Sequence, residues 1–363
     1  MKLQQIEARD FRNLEKFTYR PGPGLNILLG DNAQGKTNIL EAIYLLSVGT
    51  SFRTGSDKNL LRYEKDAYVL RGLYSCNERN IEAEVNYDLK YGKKFKINSK
   101  KTTLGNPLRL RAVLFSPDDL FLIKGSPGKR RQFLDFILTQ IKSEYNYNLA
   151  NYVKILKKRN LLLKREQYNT RSFAIIEEVF IENAARIILA RINLINTLDE
   201  YAASIYQEIT NRKGSLKIRY ALSFPLDSGK INHDALKEAL KKQIQEKKEQ
   251  EVKRKKSLVG PHRDDLNVYQ DGRIARYFAS QGQQRNIVVA LKLAELHAFQ
   301  KISGFKPVFL LDEVLSELDR EKRQLLLDYL QEAEFQSFLT SVNLNDIDFR
   351  SAVVATVKDG HLQ

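Results

Sequence analysis

Apolar Leu3, Ile6 and Ala8 among polar neighbours predict a strand at 3–8, Pro21-Gly22-Pro23-Gly24 predicts a turn, and the apolar run at 25–29 predicts a short buried strand ending at Gly30. From Gly35 the period changes: Ile39, Leu40, Ile43, Tyr44 and Leu46 recur at near-helical spacing. Residues 68–74, 81–89 and 94–98 read as meander strands, Leu104-Gly105-Asn106-Pro107 punctuates them, and a strand at 112–115 closes this part.

After Pro127 long helical patterns take over at 128–142, 145–165, 172–209 and 233–256, broken by a hairpin region expected around 212–225. β-type patterning returns at 266–269 and 274–278, a helix follows at 283–299, Pro307 opens an apolar strand at 308–311, and 320–332 is again helical. At 363 residues the chain exceeds the usual size of one hydrophobic core. Strand signals near both ends predict an α/β lobe assembled from 1–125 and 300–363, with a mostly helical lobe at 126–299 inserted between them. No short repeat and no sustained heptad runs through the helices, so a compact arm is expected instead of a long coiled coil.

Composition adds a direction to this outline. Hydrophobic residues at 42% and charged residues at 29% suit a folded chain and exclude general disorder. Lys plus Arg number 60 against 44 Asp plus Glu, a formal charge of +16 that favours polyanionic partners, nucleic acid first. Arg186 and Arg191 interrupt the best apolar stretch, 184–195, so no membrane span is expected. The start lacks a signal-peptide pattern, and Cys76 alone cannot form an intrachain disulfide. A cytoplasmic location is the expectation.

Gly30-Asp31-Asn32-Ala33-Gln34-Gly35-Lys36-Thr37 fits GxxxxGK[ST], between a buried strand and a helix. In such a loop the backbone N–H groups cradle phosphate, glycines permit close approach, Lys36 reaches the terminal phosphates and Thr37 ligates Mg²⁺. Asn38 follows as a further candidate contact to ATP. Val308-Phe309-Leu310-Leu311-Asp312-Glu313 delivers two acids from the end of an apolar strand. Asp312 is expected to hold Mg²⁺ and Glu313 to act as general base.

Ser280-Gln281-Gly282-Gln283-Gln284-Arg285, before a helix, resembles the signature motif of ABC-type ATPases, and Ser316-Glu317-Leu318-Asp319 resembles their D-loop. The resemblance implies that Ser280, Gly282, Gln283 and Asp319 complete the ATP site of a second copy, giving an ATP-dependent homodimer. Read by itself, the first segment is also a polar N-cap on an amphipathic helix.

Further segments resemble the RecF family of SMC-like ABC-type ATPases. They are Phe11-Arg12-Asn13, Asn38-Ile39-Leu40-Glu41-Ala42, Thr50-Ser51-Phe52-Arg53, Phe115-Ser116-Pro117-Asp118-Asp119-Leu120, Lys129-Arg130-Arg131-Gln132-Phe133-Leu134-Asp135, Leu156-Lys157-Lys158-Arg159-Asn160 and Gly260-Pro261-His262-Arg263-Asp264-Asp265-Leu266. The resemblance implies an ABC-type, SMC-head-like lobe with a helical arm, and a weak DNA-stimulated ATPase used as a switch. It also implies recognition of single-strand gaps and junctions with duplex, with RecO and RecR as partners in loading RecA. Two departures from transporter ATPases stand out: Phe115-Ser116-Pro117-Asp118-Asp119 where a Q-loop glutamine is usual, and Phe338-Leu339-Thr340-Ser341 where a switch histidine is usual.

Arg53 is a candidate for phosphate or DNA, and Lys154, Lys157, Lys158 and Arg159 are candidates for DNA on a helix whose leucines would pack inward. Lys241 to Lys256 is also basic, diluted by three glutamates. Two other functions compete with the DNA switch. One is the nucleotide-binding subunit of an ABC transporter, disfavoured by the helical insertion and the basic charge. The other is a non-catalytic adaptor that uses ATP only to hold a dimer together.

Overall fold

The structure is a computed structural model and describes residues 1–76, 79–103, 106–211, 213–226, 231–344 and 350–363. Leu104 and Gly105, expected as punctuation, and Arg212, the expected start of a hairpin, lie outside the described residues. The chain divides into two units, Met1–Asp119 with Glu295–Gln363, and Leu120–Ala294.

The first unit holds two six-stranded sheets. One is an antiparallel meander in the order Leu14–Tyr19, Lys2–Phe11, Ala67–Cys76, Arg79–Asp88, Gly92–Ile97, Lys100–Lys101. Its strands alternate as a half-buried sheet should, and in Lys2–Phe11 an irregularity between Leu3 and Gln5 shifts the phase so that Ile6 and Ala8 follow Leu3 into the core. The other sheet runs His361–Leu362, Val353–Lys358, Leu25–Leu29, Ser337–Ser341, Val308–Leu311, Ala112–Phe115. Neighbours from Val353–Lys358 to Ala112–Phe115 are parallel. Val308–Leu311 is buried throughout, and Leu25–Leu29 and Ser337–Ser341 are buried except at their last residue, which is why their sequences read as apolar runs.

Helix Lys36–Val48 packs against strands of both sheets and is buried on nearly every side, so its apolar residues are not confined to one stripe. It stops at Gly49, whose left-handed φ of 82° lets its N–H donate to the Leu45 carbonyl.

The second unit is mostly helical: Pro127–Ile141, Ser143–Lys164, the 39-residue Arg171–Ile209, His233–Glu246, Lys248–Arg254 and the first part of Gln281–Ser303. The helical pattern at 233–256 is two helices broken at Lys247. The hairpin expected at 212–225 is a single strand, Leu216–Ala221, which pairs antiparallel with the distant Asp265–Gln270. Residues 274–278, expected to be β-like, form the end of a two-residue strand and a short helix, Ala275–Phe278. Among the described residues, no helix is long and apolar enough to cross a membrane.

Candidate nucleotide site

The strand order places Ser337–Ser341 between Leu25–Leu29, which leads into the phosphate loop, and Val308–Leu311, which leads into the two acids. All three strands are parallel, so their C-terminal ends converge. Gly30 has φ of 154°, and a Cβ there would lie 2.3 Å from the Val357 carbonyl oxygen. Ala33 at φ 65° and Gly35 at φ 111° carry the loop through left-handed backbone into the helix.

Lys36 is buried, and its Nζ donates to the loop's own Gly30 and Asp31 carbonyls at 2.6 and 2.8 Å. Burial lowers its pKa, opposed by the carboxylates of Glu313, Asp31 and Asp312. Thr37 Oγ1 donates to Asp312 Oδ1 at 2.8 Å, joining the two halves of the site across 275 residues. Burial raises the pKa of Asp312, opposed by its bonds from Thr37 and Thr340. Glu313 sits at φ 53° with its side chain exposed and its backbone oxygen accepting from Ser316 Oγ at 2.6 Å. Asn32, Glu313, Ser316, Thr340 and Asn343 line one open cleft.

Thr340 stands where the sequence offered no switch histidine. Its hydroxyl accepts from the Glu313 N–H at 2.9 Å and donates to Asp312 Oδ1 at 3.0 Å. One hydroxyl therefore holds the Asp312 carboxylate and the backbone of Glu313, and nothing in the string Phe338-Leu339-Thr340-Ser341 marked it for that task.

Gln34 is gripped from outside the loop. Its carbonyl accepts from Gly360 N–H at 2.9 Å and Asn13 Nδ2 at 3.2 Å, and its Oε1 accepts from Asp359 N–H at 2.7 Å. Asn13 Oδ1 in turn accepts from Asn38 Nδ2 at 2.7 Å.

Beneath this lies the fully buried Glu41, bound by two parallel bonds of 2.9 Å from Arg12 and also by Ser51. Arg53 approaches Glu41 at 3.5 Å and donates to Asn38 Oδ1 at 2.8 Å, leaving its side chain 45% exposed. The segments around Arg12, Glu41 and Arg53 thus form one cluster behind the phosphate loop.

Asp319 caps helix Arg320–Glu332 by accepting from the Lys322 N–H at 3.0 Å, and its bond from the Lys322 side chain holds its pKa below the usual carboxylate range. In the second unit, Ser280 and Gln283 form a capping box: Ser280 Oγ accepts from Gln283 N–H at 3.3 Å and Gln283 Oε1 from Ser280 N–H at 2.8 Å. A Cβ at Gly282 would meet nothing within 4 Å, so backbone at this turn is open to a ligand or partner. The cap and the anion-site readings of this segment share the same geometry.

Lys154, Lys157 and Lys158 are exposed on helix Ser143–Lys164. Arg159 is not a surface contact, against expectation. It is 1% exposed, donates to Glu177, Glu251 and Ser257 at 2.6, 2.6 and 2.7 Å, and lies over the rings of Phe173 and Phe180. Its charge is spent inside the arm. His262 is also structural: Tyr152 shares a 2.6 Å bond with Nδ1, and Nε2 is 3.2 Å from the Ser257 carbonyl.

The oxygen donors Thr37 and Asp312 have the chemistry Mg²⁺ prefers. Among the described residues no group of three or more His, Cys, Asp or Glu side chains could hold a metal alone.

The RecF/RecN/SMC N terminal domain matches residues 2–361. The DNA replication and repair protein RecF of Symbiobacterium thermophilum is 37% identical over 352 residues, 96% of this chain and 94% of the relative. That of Enterococcus faecalis is 35% identical over 353 residues, with the same two coverages. Among solved structures, the recombination mediator protein RecF with ATPrS in the RecFOR pathway superposes with a TM-score of 0.89 at 34% identity, covering 99% of this chain and 97% of that one. An SMC head bound to the C-winged helix domain of ScpA shares the fold, with a TM-score of 0.57 at 15% identity over 100% of this chain and 96% of that one.

Proposed function

Because this chain belongs to the RecF family, we propose that it is an ATP-driven switch on DNA, dimerising with ATP to recognise single-strand gaps and their junctions with duplex. With RecO and RecR it then helps load RecA. The observation that carries the nucleotide part is the 2.8 Å bond from Thr37 to Asp312, which supports a single hydrolytic site built from loop and acids.

In this reading the loop N–H groups and Lys36 hold the terminal phosphates, Lys36 exchanging its loop carbonyls for phosphate oxygens. Thr37 and Asp312 would hold magnesium, which neutralises charge on the phosphates when bound. Glu313 takes the proton of the attacking water, held in place by the Thr340 bond to its backbone. Ser280 and Gly282 of a second copy close the site over the terminal phosphate, so hydrolysis loosens the dimer and resets DNA binding. The exposed Lys154, Lys157 and Lys158 support a phosphate-backbone contact on the arm. Family membership sets aside the transporter subunit.

The test is light scattering and ATP turnover of the purified protein, with and without single-stranded, duplex and gapped DNA. ATP-dependent dimerisation with turnover raised by gapped DNA is expected. Dimerisation without turnover would leave only the adaptor reading, and no dimerisation with ATP would remove the shared site.

A further inference from the structure

Tyr277 and Phe278 are consecutive in helix Ala275–Phe278, yet 69% and 65% of their surfaces are exposed. Their rings stand edge to face at 6.4 Å. Arg276 lies over Tyr277 at 5.0 Å and Arg273 over Phe278 at 5.9 Å. Arg276 is itself fixed, donating to Asp265 at 3.1 Å and Asn267 at 3.3 Å, and Asp265 is held by two bonds of 2.7 and 2.8 Å from the buried Arg130. The aromatic pair is therefore mounted on the arm's sheet and not loosely displayed.

Its link to Ser280 is equally fixed. Ala279 N–H donates to Ala275 O at 3.0 Å, Gln284 Nε2 donates to Ala279 O at 2.7 Å, and the capping box locks Ser280 to Gln283. Two to three residues of chain span at most about 7–11 Å. That reach is comparable with the distance from the terminal phosphate of a nucleoside triphosphate, across its ribose, to its base. Aromatic faces beside guanidinium groups are what stack an unpaired base and attract its phosphates.

We propose that Tyr277 and Phe278 receive the nucleobase of the ATP bound to a second copy of this chain, while Ser280 meets that ATP's terminal phosphate. The proposal rests on the shared-site reading of Ser280 given above. It makes the arm a reader of the base in trans, whereas the phosphate loop holds the phosphates in cis.

The test compares the parent with the Tyr277→Ala, Phe278→Ala double variant, and with Tyr277→Phe, Phe278→Tyr, which keeps both rings. Dimerisation is followed by light scattering with ATP and with ribose 5-triphosphate, which lacks a base, alongside ATP binding to the monomer. The alanine variant is expected to bind ATP as a monomer within about twofold of the parent, but to need about tenfold more ATP to dimerise. Its response to ribose 5-triphosphate should match the parent's, and the ring-swapped variant should behave as the parent with both compounds. If the alanine variant is weakened equally with both triphosphates, the rings are protein contacts and the proposal falls. If it dimerises normally but loses single-stranded DNA binding, the platform serves DNA bases and the proposal also falls. A parent that fails to dimerise with ATP would instead overturn the reading of Ser280.

Discussion

The backbone N–H of Gly360 donates to the carbonyl of Gln34 at 2.9 Å, so a turn late in the sequence holds the phosphate loop near its beginning. Gly360 has φ of 78°, and a Cβ there would lie 2.6 Å from the Asn13 carbonyl oxygen. Gly360→Val is expected to destabilise the first unit by about 1–3 kcal/mol. It should also weaken ATP binding, because Gln34 directly precedes Gly35 and Lys36. Thermal unfolding with and without ATP checks both: the melting point should fall, and the rise produced by ATP should shrink.

Thr340→Val removes the hydroxyl that holds the Asp312 carboxylate and the Glu313 backbone while keeping the side chain's shape. Leaving the buried Asp312 and the Glu313 N–H short of a partner costs about 1–3 kcal/mol. ATP turnover is expected to fall about tenfold or more with ATP affinity less affected, and Thr340→Ser should restore much of it. Equal turnover in the valine variant would show that the acids are oriented without Thr340.

Lys36→Ala should abolish ATP-driven dimerisation in light scattering. Glu313→Gln should instead accumulate an ATP-bound dimer whose turnover is lower by about 10²–10⁴. Ser280→Arg should bind ATP as a monomer and fail to dimerise. Normal ATP-dependent dimerisation of that variant would return the segment to a helix cap.

The basic helix divides into two kinds of residue. Arg159→Met should destabilise the arm by about 3–5 kcal/mol, by leaving the buried Glu251 without its cation. It should leave DNA affinity of the folded protein nearly unchanged. Replacing Lys154, Lys157 and Lys158 by glutamine should do the opposite, lowering the salt dependence of DNA binding by about 0.9 for each phosphate no longer neutralised. Binding titrations at several salt concentrations, set beside urea unfolding, separate the two.

Acid should weaken the arm through His262. Burial pushes its pKa down to about 4 from an ordinary 6.5. Between pH about 6.5 and about 4 the unfolded chain takes up a proton that the folded chain refuses, so stability is full above this window and declines through it. Asp264 partly opposes the decline: burial raises its pKa, so its ionised form weighs against the fold, and that burden lessens as it protonates. Unfolding midpoints measured across this range should fall less steeply in His262→Gln than in the parent.

The phosphate loop and the two acids were legible because each is a local string whose geometry follows from a strand ending and a helix beginning. Thr340, Gln34 with Gly360, and Glu41 with Arg12 were not marked as partners, because their pairing is set by strand order and not by spacing along the chain. Helix Arg171–Ile209 can be read from its period, whereas Leu216–Ala221 reads as part of a local hairpin because nothing nearby shows that its partner strand lies at Asp265–Gln270. Arg159 differs from its sequence reading for a related reason. A run of cations shows where charge lies, and the burial of one member depends on Glu177 and Glu251, far away in sequence.

The order of strands in the parallel sheet has a consequence for how the protein is made. Leu25–Leu29 lies between Ser337–Ser341 and Val353–Lys358, so the strand that presents the phosphate loop has neither sheet neighbour when it leaves the ribosome. At roughly 5–20 residues per second, about 20–60 seconds pass between synthesis of Lys36 and of residue 358. During that interval the apolar run 25–29 is a candidate for chaperone binding, and a nascent chain halted before Ser337 would carry the loop sequence without either of its flanking strands.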